Sequence, residues 1–198
     1  GHRAGDYASR LCVETMVQSL EKSAHKTPVS LFEEAVTAAN KAVFEESASH
    51  VEYEGMGTTV VACTLEENTL YIANIGDSRL YLIRDGIEQI TDDHSLVEEM
   101  VKQGNITESE ARIHPQKNII TRALGINEEV QADFFEIDVE QGDVIMLCSD
   151  GLSNMIEDED MEYIVKNSDT LQTAAESLVA RANENGGNDN ITVVLAEV

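Results

Sequence analysis

With 198 residues, 42% of them hydrophobic, the chain is long enough for one domain with a real core and short for two. It carries 13 Lys and Arg against 38 Asp and Glu, a formal charge of -25, and such a field repels polyanions, which argues against nucleic acid as a partner. The same field repels a phosphorylated substrate unless bound cations reverse the local sign.

Apolar residues at Ala8, Leu11, Cys12, Met16, Val17 and Leu20 fall on one stripe and predict a helix over 4–20. After a break at Lys26-Thr27-Pro28, Ser30 and Glu33 have capping-box spacing. Leu31, Phe32, Ala35, Val36, Ala39 and Val43 then continue with helical period, predicting a second helix. From Gly55-Met56-Gly57 onward the texture changes to short β-rich runs at 58–65, 70–75, 80–83 and 87–90, with Arg84-Asp85-Gly86 as a hairpin turn. Connections this tight predict an antiparallel meander, since parallel strands need longer crossovers.

Between Asp92 and Gly125 lies a polar insert with two helix starts, Ser95 with Glu98 and Thr107 with Glu110, the second stopped by His114-Pro115. Interrupting the strand series, residues 92–125 are expected to form a flap over the sheet edge. Strand patterns return at 134–139 and 144–148, helices are predicted over about 157–165 and 171–185, and 191–195 closes the chain as a strand. This order gives an α+β fold, one domain over 1–198, with antiparallel sheet covered by helices.

Cys12, Cys63 and Cys148 are odd in number, far apart and flanked by apolar residues, and they predict buried free thiols in a reducing compartment. No apolar stretch is long enough to span a bilayer and no secretory signal opens the chain, so a cytoplasmic protein without membrane insertion is expected.

Three aspartates sit where strands meet loops. Asp150 follows the wholly apolar run 144–148 in Ser149-Asp150-Gly151; Asp189 lies in Gly186-Gly187-Asn188-Asp189-Asn190; Asp77 lies in Gly76-Asp77-Ser78-Arg79, with Arg79 as its expected charge partner. Carboxylates at strand ends, beside glycines that admit close approach, suit hard divalent cations. Taken singly, each reads more readily as a turn or a helix cap. They gain force only if the sheet gathers those ends.

Six motifs carry a resemblance. Gly55-Met56-Gly57-Thr58-Thr59, Ile75-Gly76-Asp77-Ser78-Arg79, Asp93-His94-Ser95-Leu96-Val97, Thr121-Arg122-Ala123-Leu124-Gly125, Leu147-Cys148-Ser149-Asp150-Gly151-Leu152 and Gly186-Gly187-Asn188-Asp189-Asn190-Ile191-Thr192 follow one another in order. The series resembles that of the metal-dependent protein phosphatases of the PPM (type 2C) family, above all its small bacterial members, and it spans nearly the whole chain. The resemblance implies an αββα sandwich of two antiparallel sheets covered by helices. It also implies a centre of two Mn2+ or Mg2+ ions, with a weaker third, and hydrolysis of phosphoserine and phosphothreonine by a water activated between the metals. Asp150 and Asp189 would be ligands of the main centre and Asp77 of the third metal. Phosphoproteins, with a cognate Ser/Thr kinase acting on the same targets, would be the partners of a monomeric enzyme.

The family's opening segment, with its phosphate-binding Arg and an Asp-Gly-Met-Gly-Gly-His motif, has only its tail end matched here, by Gly1-His2-Arg3-Ala4-Gly5. The chain is therefore expected to lack its N-terminal strands and about half of its metal ligands, which would lie before Gly1. His2, at the position of the histidine after the glycine pair, is the expected general acid for the leaving alkoxide. Asn188 stands where many relatives have Glu. His25, His50, His94 and His114 read as structural or exposed, and Cys148 as a packed thiol, since no phosphate loop with Arg follows it. Two rivals are an interaction module of the same fold without turnover, which the missing ligands favour, and a metal-binding domain for other hydrolysis such as phosphodiester cleavage.

Overall fold

Side-chain parity along each strand sets the layers. The structure, a computed structural model, describes residues 4–24 and 27–198. One sheet has the order β1-β2-β5, from β1 (Val60–Glu66), β2 (Thr69–Ile75) and β5 (Asp133–Asp138). The other has the order β4-β3-β6-β7, from β3 (Arg79–Ile83), β4 (Ile87–Gln89), β6 (Val144–Cys148) and β7 (Val193–Glu197). Every pairing is antiparallel.

Because successive side chains point to opposite faces, Leu70 and Ile72 of β2, Leu80 and Leu82 of β3 and Ile145 of β6 meet in a core between the sheets. The alternate residues face outward onto helices. Ile75 packs with Ala8, Cys12, Ala35, Ala39 and Val43 of α1 (Gly5–Lys22) and α2 (Pro28–Ser49). Tyr81, Ile83, Met146 and Cys148 pack with Met161, Ala174 and Leu178 of α6 (Asp158–Lys166) and α7 (Leu171–Glu184). The result is the αββα sandwich, and each fully buried Leu or Ile in it contributes about 2 kcal/mol of transfer free energy. The all-apolar pattern of β6 follows: it is covered by a sheet on one face and helices on the other.

Three sequence expectations change. Ser30 and Glu33 form no capping box, because α2 begins two residues earlier with Pro28, whose fixed φ suits the first helical turn. Cys63 is half-buried while Cys12 and Cys148 are buried, all three as free thiols. A one-turn helix, α5 (Asp150–Ser153), follows β6 where the sequence pattern gave only a strand end. Among the described residues, no helix is long and apolar enough to cross a membrane.

The insert at 92–125 holds α3 (Leu96–Lys102) and α4 (Glu108–Ile113). Ser95 caps α3 by accepting the Glu98 N–H, and Thr107 with Glu110 forms a complete capping box on α4. The ends of the insert are stitched together by an isolated bridge between Ser95 and Ile120. Buried Asn40 of α2 accepts the Gly125 N–H at 2.7 Å and donates to the carbonyls of Asn127 and Glu128, anchoring the returning chain.

Candidate functional site

Strand register decides where the three aspartates lie. Arg79 pairs with Cys148, so Asp77, two residues before the first, and Asp150, two residues after the second, emerge at the same end of the second sheet. Cys148 also pairs with Val193, which brings the loop carrying Asp189 to that end. Three hydrogen bonds of Ser149 hold the β6 end against this loop: its Oγ donates to the Asn190 carbonyl at 3.0 Å and accepts the Thr192 N–H at 3.0 Å, and its N–H donates to the Thr192 carbonyl at 3.1 Å. Gly151 is required at this seam. A Cβ on it would lie 2.2 Å from the Asn190 carbonyl oxygen.

Electrostatics report the same proximity. Asp77 is half-buried, and its carboxyl is pushed up to about 7, first by burial and then by the charges of Asp150 and Asp93. Burial, followed by the charge of Asp189, raises Asp150. Asp150 accepts a 3.3 Å hydrogen bond from Asn154 Nδ2, while exposed Asp189 accepts the Asn190 N–H at 2.7 Å. His2 lies outside the described residues.

Arg79 does not pair with Asp77, contrary to the sequence expectation. Its guanidinium turns to Asp93, with Nε to Oδ1 at 2.9 Å and Nη2 to Oδ2 at 2.7 Å, while Nη1 donates to the Tyr81 hydroxyl. A planar fork takes both carboxylate oxygens at once, and Asp93 lies where the fork can reach it. His94, expected to be structural or exposed, is buried with both ring nitrogens engaged. The run Asp92-Asp93-His94-Ser95, directly after a strand pattern, marks Asp93 and His94 in the sequence but not the partners they find.

An open cleft of about 570 Å³ runs from Asp77 and Asp150 along the 92–125 insert, lined among others by Asp93, Glu98, Arg112 and Lys117. Arg112 of α4 fastens the insert to the far wall, donating to the carbonyls of Ser153 and Ile156 and pairing with Glu157 at 2.9 Å. A phosphoryl group entering this cleft meets carboxylates that already repel one another, and hard divalent cations are what that donor set fits. The fit is in donor chemistry and charge rather than number: among the described residues, no three His, Cys, Asp or Glu side chains form a closed metal-binding group.

The family model for protein phosphatase 2C matches residues 1–196. The chain belongs to the protein phosphatase 2C family. Among protein phosphatase 2C relatives, a protein named serine/threonine phosphatase stp, from Listeria monocytogenes serotype 4b, is 40% identical over 202 residues, covering 100% of this chain and 80% of that protein. The crystal structure of serine/threonine phosphatase Stp1 from Staphylococcus aureus superposes with a TM-score of 0.95 at 34% identity, covering 100% of this chain and 80% of that one. A further protein phosphatase 2C structure, the catalytic domain of the serine/threonine protein phosphatase PstP in complex with two manganese ions, gives a TM-score of 0.88 at 35% identity, with 100% and 83% covered.

Proposed function

We propose that this protein is a metal-dependent protein serine/threonine phosphatase that releases phosphate from phosphoserine and phosphothreonine. The observation that carries the reading is the gathering of Asp77, Asp150 and Asp189 at one sheet end in a chain of this family. Asp150 and Asp189 would be ligands of the main pair of cations, Mn2+ or Mg2+, and Asp77 of a weaker third. Bound there, the cations supply an activated water and neutralise the phosphoryl oxygens.

The chain's own groups do the rest. Asp150, fixed by the Ser149 seam and by Asn154, keeps its carboxylate at the mouth of the cleft. The cleft beneath the flap orients the phosphorylated segment of the substrate, and His2 gives the leaving alkoxide its proton. A cytoplasmic monomer, opposed by a Ser/Thr kinase acting on the same phosphoproteins, completes the reading. An interaction module without turnover is not favoured, since relatives of the same fold carry phosphatase names.

The test is phosphate release from p-nitrophenyl phosphate and from a phosphothreonine peptide by the full-length product of the gene. Activity should require manganese and be lost both in EDTA and in Asp150→Ala, by at least about 100-fold. Activity that survives either treatment would refute the two-metal reading, and a protein that binds the peptide without turnover would favour the interaction module.

A further inference from the structure

We propose that His94 is a positioning residue that fixes the Asp77 carboxylate from behind and, through Asp133, ties it to both stems of the flap. The inference rests on the reading of Asp77 as a metal ligand.

The turn that carries Asp77 has little freedom of its own to hold one shape. Gly76 adopts φ 104, and a Cβ there would lie 2.3 Å from Thr59 Cγ2, so the backbone passes where no side chain fits. His94 grips this glycine on both sides of its peptide unit. The Gly76 N–H donates to His94 Nδ1 at 2.9 Å, and the His94 N–H donates to the Gly76 carbonyl at 2.9 Å. A nitrogen that accepts carries no proton, so the ring proton of His94 sits on Nε2 and is donated to Asp133 Oδ2 at 2.9 Å, while Arg122 Nη1, 3.1 Å from Nε2, gives its two protons to Asp133 Oδ1 and the Gln131 carbonyl. A histidine serving only to fill the core would not need to place one nitrogen on the turn and the other on a carboxylate.

Asp133 is itself well placed to anchor the ring. It starts β5 opposite Asn74, two residues before Gly76, and its Oδ1 accepts from Arg122 Nη1 at 2.6 Å. Arg122 also donates to the Gln131 carbonyl at 3.0 Å. The outgoing stem of the flap contains His94 itself, and the returning stem contains Thr121, whose N–H donates to the His94 carbonyl at 2.8 Å. Both stems and the Asp77 turn therefore meet at one residue, His94, through its backbone and its ring. A displacement of the flap stems reaches the Asp77 carboxylate through two hydrogen bonds and one peptide unit, and this is the contiguous connection that a coupling between flap and centre needs.

Two substitutions separate positioning from packing. His94→Ala removes the acceptor for the Gly76 N–H; His94→Asn restores an oxygen acceptor close to the place of Nδ1 but not the link to Asp133. The readouts, on the full-length gene product, are amide hydrogen exchange across 75–78 and Mn2+ binding followed by electron paramagnetic resonance. In His94→Ala, exchange at Gly76 and Asp77 should rise about tenfold while the sheet cores stay protected. The Mn2+ dissociation constant of the weakest site should rise about tenfold, as for loss of an outer-shell partner. His94→Asn should recover the slow exchange at Gly76 but only part of the Mn2+ affinity, because the link to Asp133 stays broken. Wild-type exchange at this turn in His94→Ala, or an Asn variant as impaired as Ala, would overturn the proposal. Asp77→Asn is the control for the underlying reading: if it leaves Mn2+ binding unchanged, Asp77 is no ligand, and the exchange measurements alone decide the role of His94.

Discussion

Arg79 gives its guanidinium to Asp93 and leaves Asp77, two residues away in sequence, facing the charge of Asp150. Burial first, and then the charges of Asp150 and Asp93, disfavour the ionised form of Asp77 in the metal-free fold and push its carboxyl up to about 7. A carboxyl whose pKa is raised on folding lends stability below its unfolded value, near 4, and that contribution is lost as pH rises through the folded value. In EDTA, Asp77→Asn should match the wild type at about pH 4 and exceed it by about 1 kcal/mol at about pH 8, a few degrees in thermal midpoint. Manganese should narrow the difference at pH 8. Thermal unfolding at the two pH values, with and without the metal, checks this.

The seam at Gly151 gives a second prediction. Adding one methyl there places it against the Asn190 carbonyl, so Gly151→Ala must force apart the β6 end and the Asp189 loop. We expect a loss of about 3 kcal/mol by urea denaturation, together with weaker Mn2+ binding measured calorimetrically. Unchanged stability would mean that the seam is not closed as described.

Far from the cleft, Asp143 is buried and accepts from Arg84 Nε at 2.8 Å, from Arg84 Nη2 at 2.6 Å and from the Glu140 N–H at 2.7 Å. The Arg84 hydrogen bonds, with help from the Glu140 amide, hold its carboxyl below the usual range despite burial. Such a group stabilises the fold above its unfolded pKa and ceases to as pH falls through the folded value. Asp143→Asn should cost about 2 kcal/mol at pH 7, with a smaller deficit at about pH 3. Urea midpoints at the two pH values measure the difference.

Burial pushes the Cys148 thiol up to about 12, leaving almost no thiolate at neutral pH. Iodoacetamide at about pH 8 should leave Cys148 unlabelled in the native protein and phosphatase activity intact, as read by mass spectrometry of the peptides and by phosphate release. Labelling of Cys148 with parallel loss of activity would point instead to a cysteine nucleophile.

What the sequence revealed was largely periodic or ordered. The alternation in β2 and the unbroken apolar run of β6 report which faces are covered, and the motif order announced the family. What it concealed was set by distance in space. Arg79 lies two residues from Asp77 in the chain, yet its partner is 14 residues on, because the start of the 92–125 insert brings Asp93 to the guanidinium with both oxygens presented. Likewise, His94 meets Asp133 across 39 residues, and no local pattern marks such a pair. At Ser30 the reverse occurred: a correct capping spacing lost to Pro28, which had already started the helix.

The bridge between Ser95 and Ile120 closes the insert at its own base. A loop whose ends are already joined adds little chain entropy when its interior is lengthened or exchanged, because the cost of closure grows only with the logarithm of its length. The segment inside that bridge can be swapped for one of another length or sequence while the sheet beneath it keeps its register. Such an exchangeable cassette lets a lineage alter what reaches the cleft without rebuilding the strands that carry the carboxylates.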